Sequence, residues 1–304
     1  MPRTIPWKTF DSDLNTDLCS PTRNAELTLT LCVGFRQINP DAGAAAGRFF
    51  ESGVPTNQSR KIIRWEPNEW ADWKENFASV VNRFWDGKFW LINDCRSFAF
   101  HSGGTTYYPN VLCRLKFVAN EAGAGRNHYT IGVVRLDSTE SFFRSTSPLF
   151  SNKDTTIGLY SSKDTNRVLK GRTKSGQLIF QCTAVHEVGH LLGLSHVDFG
   201  KPDCPLSGDR NLNECYGVDD EDRRSVMGAG MELLPQYASR YAYSWRTAMR
   251  QYSWEEYRMT KNQVPGKVLA LTSPISSMQA IWPADMQMRL PRTAAEVDKV
   301  SGAV

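Results

Sequence analysis

The sequence predicts an α+β fold, and three observations carry that reading. Leu27, Leu29, Leu31, Val33 and Phe35 alternate with Thr28, Thr30, Cys32 and Gly34, the period of a strand with one buried face. Trp70, Trp73, Phe77, Val81 and Phe84 recur at helical spacing, one face of an amphipathic helix. Short apolar runs then precede two further helical patterns. The order strand, helix, several strands, helix, loop, helix suits one α+β domain with a polar arm at each end.

Residues 1–25 are polar and aperiodic and read as an arm. Residues 27–35 form the first strand. A loop with Pro40 and Gly53-Val54-Pro55 leads to the aromatic helix, for which Pro67 and Asn68 suit the start and Asp86-Gly87 the end. Five of the nine Trp lie between residues 65 and 90. At this spacing they are expected to pack a helix on a sheet rather than to form a binding stripe. Phe89–Ile92, Val111–Val118 and Tyr129–Leu136 read as strands. The Gly-rich turn at 121–125 joins strand to strand and lacks the GxGxxG spacing of a phosphate loop. Thr155–Tyr160 reads as a short strand, and Ile179, Cys182, Val185 and Gly189 as a helix running to residue 193. A long polar loop spans 197–224, Tyr237, Tyr241, Trp245 and Met249 mark a last helix, and the proline-bearing tail from 253 has no sustained period. The expected organisation is an arm over 1–25, a domain over 26–252 and an extension over 253–304.

Composition excludes several classes. A net charge of +4 from 36 basic and 32 acidic residues, without a basic block, argues against nucleic acid as a partner. No run of about 18 apolar residues is present to span a membrane. Met1–Lys8 has no apolar core of a secretory signal. Synthesis in the cytoplasm with export or injection by non-classical machinery is the expectation. The seven cysteines include no CxxC pair. Cys32 and Cys113 fall in strands, and Cys204 and Cys215 bracket a polar loop that a local disulfide could close.

The chemistry concentrates in His186-Glu187-Val188-Gly189-His190-Leu191-Leu192-Gly193-Leu194-Ser195-His196. Positions i and i+4 of a helix share a face, so His186 and His190 can point at one ion. Gly193 can adopt left-handed angles, end the helix and return His196 as a third ligand. Three protein nitrogens leave a fourth position open, the catalytic arrangement of zinc. Glu187, beside the first ligand, suits a general base for water activated by the metal. The five fixed positions of HExxHxxGxxH match by chance on the order of once in 10⁴ chains of this length. The other two histidines, His101 and His128, are not needed. The acidic run 219–222 lacks EF-hand spacing, so a solvated loop is expected there rather than a Ca²⁺ site.

Taken with Ser225-Val226-Met227-Gly228 downstream, this motif resembles the zinc helix and Met-turn of the metzincin peptidases, in spelling most like the matrixin branch. The resemblance covers about residues 26–252, with only the zinc helix and Met-turn sharp. It implies a twisted, mostly parallel sheet with an antiparallel strand at the cleft edge, a zinc helix and a C-terminal helix. It implies one catalytic Zn²⁺ held by His186, His190 and His196, Met227 as an apolar floor, and hydrolysis of polypeptide substrates. Thr156, Ile157, Gly158, Leu159 and Tyr160 are the expected cleft-edge strand, and Tyr237 a candidate for the specificity pocket or the first core residue of the last helix. Val197 and Ala229 depart from the residues that distinguish well-known branches, so the subfamily stays open. Asp11, Asp13, Asp17 and Cys19 make the 1–25 arm a candidate pro-segment, although no matrixin-like latency motif surrounds Cys19. A zinc-containing peptide binder without turnover, or a zinc hydrolase of a non-protein amide, are the alternatives.

Overall fold

The computed structural model describes residues 4–6, 9–51, 59–93, 98–148, 157–207, 213–249, 269–271, 279–281 and 290–296. The chain divides into two compact units, one of residues 31–84 and 117–233, the other of residues 1–30, 85–116 and 234–304.

In the first unit, Tyr129–Leu136 is the central strand. It runs parallel to residues 33–38 of the Ala25–Ile38 strand and parallel to Ile157–Ser161. Its far end pairs antiparallel with Arg60–Ile63, which in turn pairs antiparallel with Ala46–Phe49. The sheet is therefore mixed, where a mostly parallel one was expected. The connection from Arg60–Ile63 to Tyr129–Leu136 runs through helix Pro67–Trp85 and further strands, so no short parallel crossover sets their relative direction.

Helix Pro67–Trp85 covers this sheet. Pro67 occupies the first helical position, and the Trp65 ring packs 5.0 Å from Trp70, a hydrophobic staple that sets the entry angle. Phe77 is fully buried, and its ring lies 5.1 Å from Phe35 and 5.6 Å from Tyr160. Trp73 meets the same Phe35 edge-on at 5.1 Å. The aromatic stripe is thus a core face. Each such ring contributes about 1.5–3 kcal/mol by burial, and favourable ring geometry adds about 0.5–1.5 kcal/mol per pair.

A two-stranded ladder that the sequence does not announce, Arg167–Arg172 with Leu178–Cys182, stands before the second helix. Ile179 and Cys182 belong to its second strand, and the helix is Thr183–Leu191, shorter than expected. Their separation of three is a helical spacing, whereas the strand buries Ile179 and the polar Gln181 at period two, a pair that apolar patterning does not reveal. A disulfide, Cys204–Cys215, closes the polar loop, with its Cα atoms 5.1 Å apart.

In the second unit, Asp11–Asn15 pairs antiparallel with residues 26–30. The segment read as an arm therefore contributes a strand, and Ser12 and Leu14 are its buried face. Its mixed composition hid a period of two only five residues long. Phe89–Ile92 pairs with Val111–Glu121 and with Gln279–Ile281. Phe98–Ser102 and Thr105–Tyr108 form a hairpin flanked by Leu269–Leu271 and Arg292–Thr293. The tail after residue 253 thus returns three short strands to this unit. The last helical region comprises Ala238–Tyr241 and residues 243–249. Trp245 and Tyr241 are buried there, and the Trp245 indole donates to the Arg114 carbonyl at 2.8 Å.

Candidate metal centre

Helix Thr183–Leu191 differs from an ordinary surface helix: every residue from Ala184 to Leu191 is buried. Its first turn is tied down by the Ala184 N–H, which donates to the Asp164 carbonyl at 2.9 Å. Its end is a Schellman turn. Gly193 has φ of +83°, its N–H bonds to the His190 carbonyl, and the Leu194 N–H bonds to the Gly189 carbonyl. A side chain with a Cβ is strained at that angle. The reversal carries His196 back to the helix.

His186, His190 and His196 are thereby brought together, with ligand atoms all within 4.8 Å of one another. The Nε2 atoms of His190 and His196 are 3.2 Å apart. Two nitrogens bound tetrahedrally at 2.0–2.1 Å from one zinc would be separated by about 3.4 Å. Backbone carbonyls orient two of the rings. His186 Nδ1 donates to the Val226 carbonyl at 2.7 Å, and His190 Nδ1 to the Leu194 carbonyl at 2.7 Å. A proton held at Nδ1 leaves the Nε2 lone pair for an ion, the usual outer-sphere arrangement of a ligating histidine. Burial depresses the His190 pKa to about 4 and that of His186 well below its ordinary value, where the neighbouring imidazoles push it further down. Both rings are neutral at pH 7, the protonation state that metal binding requires. These residues can hold a metal ion.

Glu187 follows the first ligand and is also buried. Its Oε2 has no hydrogen-bond partner. Burial raises its pKa to about 8, against the opposing pull of a hydrogen bond from Ser147. A buried carboxylate oxygen without a partner is costly by itself; a bound cation is one group that would offset this cost.

The Ser225–Gly228 segment closes the other side. The Val226 carbonyl accepts from His186, and the Met227 carbonyl accepts from the Val197 N–H at 2.9 Å, next to His196. Met227 itself is 1% exposed. Gly228 is needed for steric reasons: a Cβ there would lie 2.3 Å from the Asp222 carbonyl oxygen and 2.6 Å from that of Tyr216.

Several participants have no sequence signal. The Gln181 amide donates to the Gly228 carbonyl at 2.9 Å and lies 3.1 Å from His186 Nδ1. Tyr216 packs its ring 3.9 Å from that of His196 and 5.8 Å from that of His186. It adjoins Cys215 of the disulfide, and that cysteine pairing was the one sequence cue to its place. The Ser147 hydroxyl donates to the Glu187 carbonyl at 3.0 Å and lies 2.6 Å from the Tyr160 hydroxyl. Asp164 accepts from Ser145 and Ser161 while burial raises its pKa to about 6.

The expected cleft-edge residues are placed differently. Thr156 lies outside the described residues. Ile157, Gly158, Leu159 and Tyr160 form a strand parallel to Tyr129–Leu136, not an antiparallel edge. Leu159 exchanges two 2.8 Å backbone hydrogen bonds with Thr146, so the antiparallel lip at this edge is the segment around Thr146. Tyr160 is fully buried against Phe35 and Phe77, and a Cβ at Gly158 would come within 2.4 Å of Ile131; both pack the interior. Tyr237 falls in the other unit, half-buried and edge-on to Tyr241 at 6.2 Å. His101 meets Thr106 at 2.9 Å, and His128 accepts the Cys32 N–H at 2.9 Å. In the acidic run, Asp222 is buried and bonds Lys201 at 2.8 Å, and the Asp220 carboxylate caps the Lys174 N–H. These two carboxylates are engaged within the protein rather than left for Ca²⁺.

Comparison with protein-family models, with curated proteins and with solved structures finds no match for the chain. Among the described residues, no helix is long and apolar enough to cross a membrane.

Proposed function

We propose that the chain is a zinc-dependent endopeptidase of metzincin type, with polypeptide as its substrate. The observation that carries the reading is the convergence of three buried imidazoles, with the buried Glu187, whose Oε2 has no partner, next in the chain to the first of them. Three buried imidazoles, two of them neutral and oriented through Nδ1, form a donor set suited to zinc with an open fourth position. When bound, zinc would polarise the scissile carbonyl and lower the pKa of water towards about 7.

The chain's own residues supply the remainder. Glu187 takes a proton from the attacking water at a carboxylate oxygen and passes it to the leaving amine nitrogen. Ser147, bonded to the Glu187 carbonyl, ties the middle of the helix to the segment around Thr146. Gln181 holds the Met-turn through Gly228 and thereby supports the carbonyl that orients His186. No side-chain nucleophile is needed.

Zinc content and peptide-library cleavage, measured on wild type and on Glu187→Ala, test this directly. Stoichiometric zinc in both proteins and cleavage only by wild type is the expected result, with general-base loss worth about 10²–10⁴ in turnover. Undiminished cleavage by the variant would sink the mechanism. Zinc without cleavage of any peptide would favour a binding module or a non-protein amide.

A further inference from the structure

The Arg167–Arg172 strand takes no part in the chemistry above, yet it adjoins the centre. Among the described residues it pairs only with Leu178–Cys182, so its outer edge presents backbone N–H and C=O groups. Residues 167–174 carry Arg167, Lys170, Arg172 and Lys174 and no acidic residue. Val168, Leu169 and Leu178 are exposed at 39%, 50% and 40%. A cationic edge can simply discourage edge-to-edge aggregation, but exposed aliphatics on the same strand work against that purpose.

The ladder register slips between Leu169 and Gly171, leaving Lys170 as the extra residue of a β-bulge. Bulges re-aim a side chain, often next to a functional site. The paired strand leads straight into the centre: Val168 stands opposite Gln181, the residue bonded to Gly228 and adjacent to His186.

We propose that this ladder is a docking edge for an acidic, extended polypeptide, which adds to Arg167–Arg172 as a strand, sets apolar side chains against Val168 and Leu169, and places carboxylates by Arg167, Lys170 and Arg172. Strand addition supplies backbone hydrogen bonds, and the cations supply selectivity. Single-stranded nucleic acid fits less well, because it needs exposed aromatic faces for stacking, and Phe180, the ladder's one aromatic, already lies under Arg167 at 5.7 Å. On the peptidase reading, Lys170 selects an acidic side chain of the substrate.

The test measures binding apart from turnover. Fluorescence anisotropy on full-length Glu187→Ala compares two labelled peptides that share apolar positions, one with Asp and Glu and one with Asn and Gln. The acidic peptide is expected to bind about tenfold tighter at low salt, an advantage that shrinks at high salt. Adding Lys170→Glu and Arg172→Glu is expected to abolish the preference and turn it towards a Lys-containing peptide. Equal affinity for the two original peptides overturns the proposal without recourse to any charge variant. So does a preference that survives the charge reversal in a folded variant, or tighter binding of a single-stranded oligonucleotide than of the acidic peptide. Wild-type turnover is read separately. Binding of the acidic peptide with no cleavage of any peptide removes the peptidase reading and keeps the docking edge; cleavage with no charge preference in binding does the reverse.

Discussion

Two helices in one unit are built on opposite principles. Pro67–Trp85 buries one aromatic face against the sheet and leaves the other to charged residues such as Glu69 and Asp72. Thr183–Leu191 is half as long, yet every residue from Ala184 onward is buried, including His186, Glu187 and His190. The first is a stability element, its contribution scaling with apolar area. The second encloses polar groups that weaken a core unless they are satisfied. Its anchors are correspondingly specific: carbonyls of Val226 and Leu194 for the imidazoles, the Asp164 carbonyl for the first turn and Gly193 for the reversal. An excess of stabilising area beside a costly polar helix is the pattern expected where a fold supports a reactive site.

That contrast can be broken from either side, starting with the largest effect. On the zinc reading, His190→Ala removes one proposed ligand, whose Nε2 lies 3.2 Å from His196 Nε2, so zinc content measured by plasma emission is expected to fall to background while the far-ultraviolet circular dichroism is kept. Retained stoichiometric zinc would transfer the metal to other residues. Phe77→Ala empties the centre of the aromatic core and is expected to cost about 3–5 kcal/mol in urea unfolding, with zinc content unchanged in the remaining folded protein. A cost below about 1 kcal/mol would mean that the stripe is not the core it looks to be.

The polar helix also predicts a pH dependence for the zinc-free protein. His190 has a folded pKa of about 4 against an ordinary 6.5, so the unfolded chain binds more protons between those values. This stability is full above pH 6.5 and is lost as pH falls towards 4, on the order of 3 kcal/mol. His186 shifts in the same direction. Glu187 has the opposite sign: raised from 4.5 to about 8, it makes the folded state lose stability as pH rises between those values. Urea midpoints of chelator-treated protein should therefore fall from pH 6.5 to pH 8 in wild type and stay level in Glu187→Gln. The variant alone should show the full histidine slope below pH 6.5. Identical profiles for the two proteins would contradict the buried carboxyl. The smallest effect is expected at Gly193→Ala, about 1–2 kcal/mol from the positive φ, accompanied by weaker zinc retention against a chelator. Unchanged retention would separate the helix reversal from the placing of His196.

Legibility in the sequence tracked the range of the interaction. The aromatic helix was readable because its period of three and four is local and long, from Trp70 to Phe84. The candidate metal ligands were readable because one helical turn and one glycine reversal bring His186, His190 and His196 together within eleven residues. The ladder at 167–182 was not, because Arg167–Lys170 are all exposed and carry no alternation. Nor was the parallel course of Ile157–Ser161, which depends on a strand more than twenty residues earlier. Gln181, Ser147 and Tyr216 reach the centre through contacts that no spacing rule encodes.

The sequence by itself determined the donor set, the helix that presents two of its members and the glycine that returns the third, because backbone geometry over a few residues obeys fixed periods. Only the tertiary structure decided how that set is held. It buried His186 and His190 so that they stay neutral, left Glu187 Oε2 without a protein partner, and turned a carbonyl of the Ser225–Gly228 turn onto His186. It also placed the bulged Lys170 on the ladder that leads into the centre. Burial, register and long-range hydrogen bonding depend on which surfaces meet, and a linear pattern of residues does not specify that.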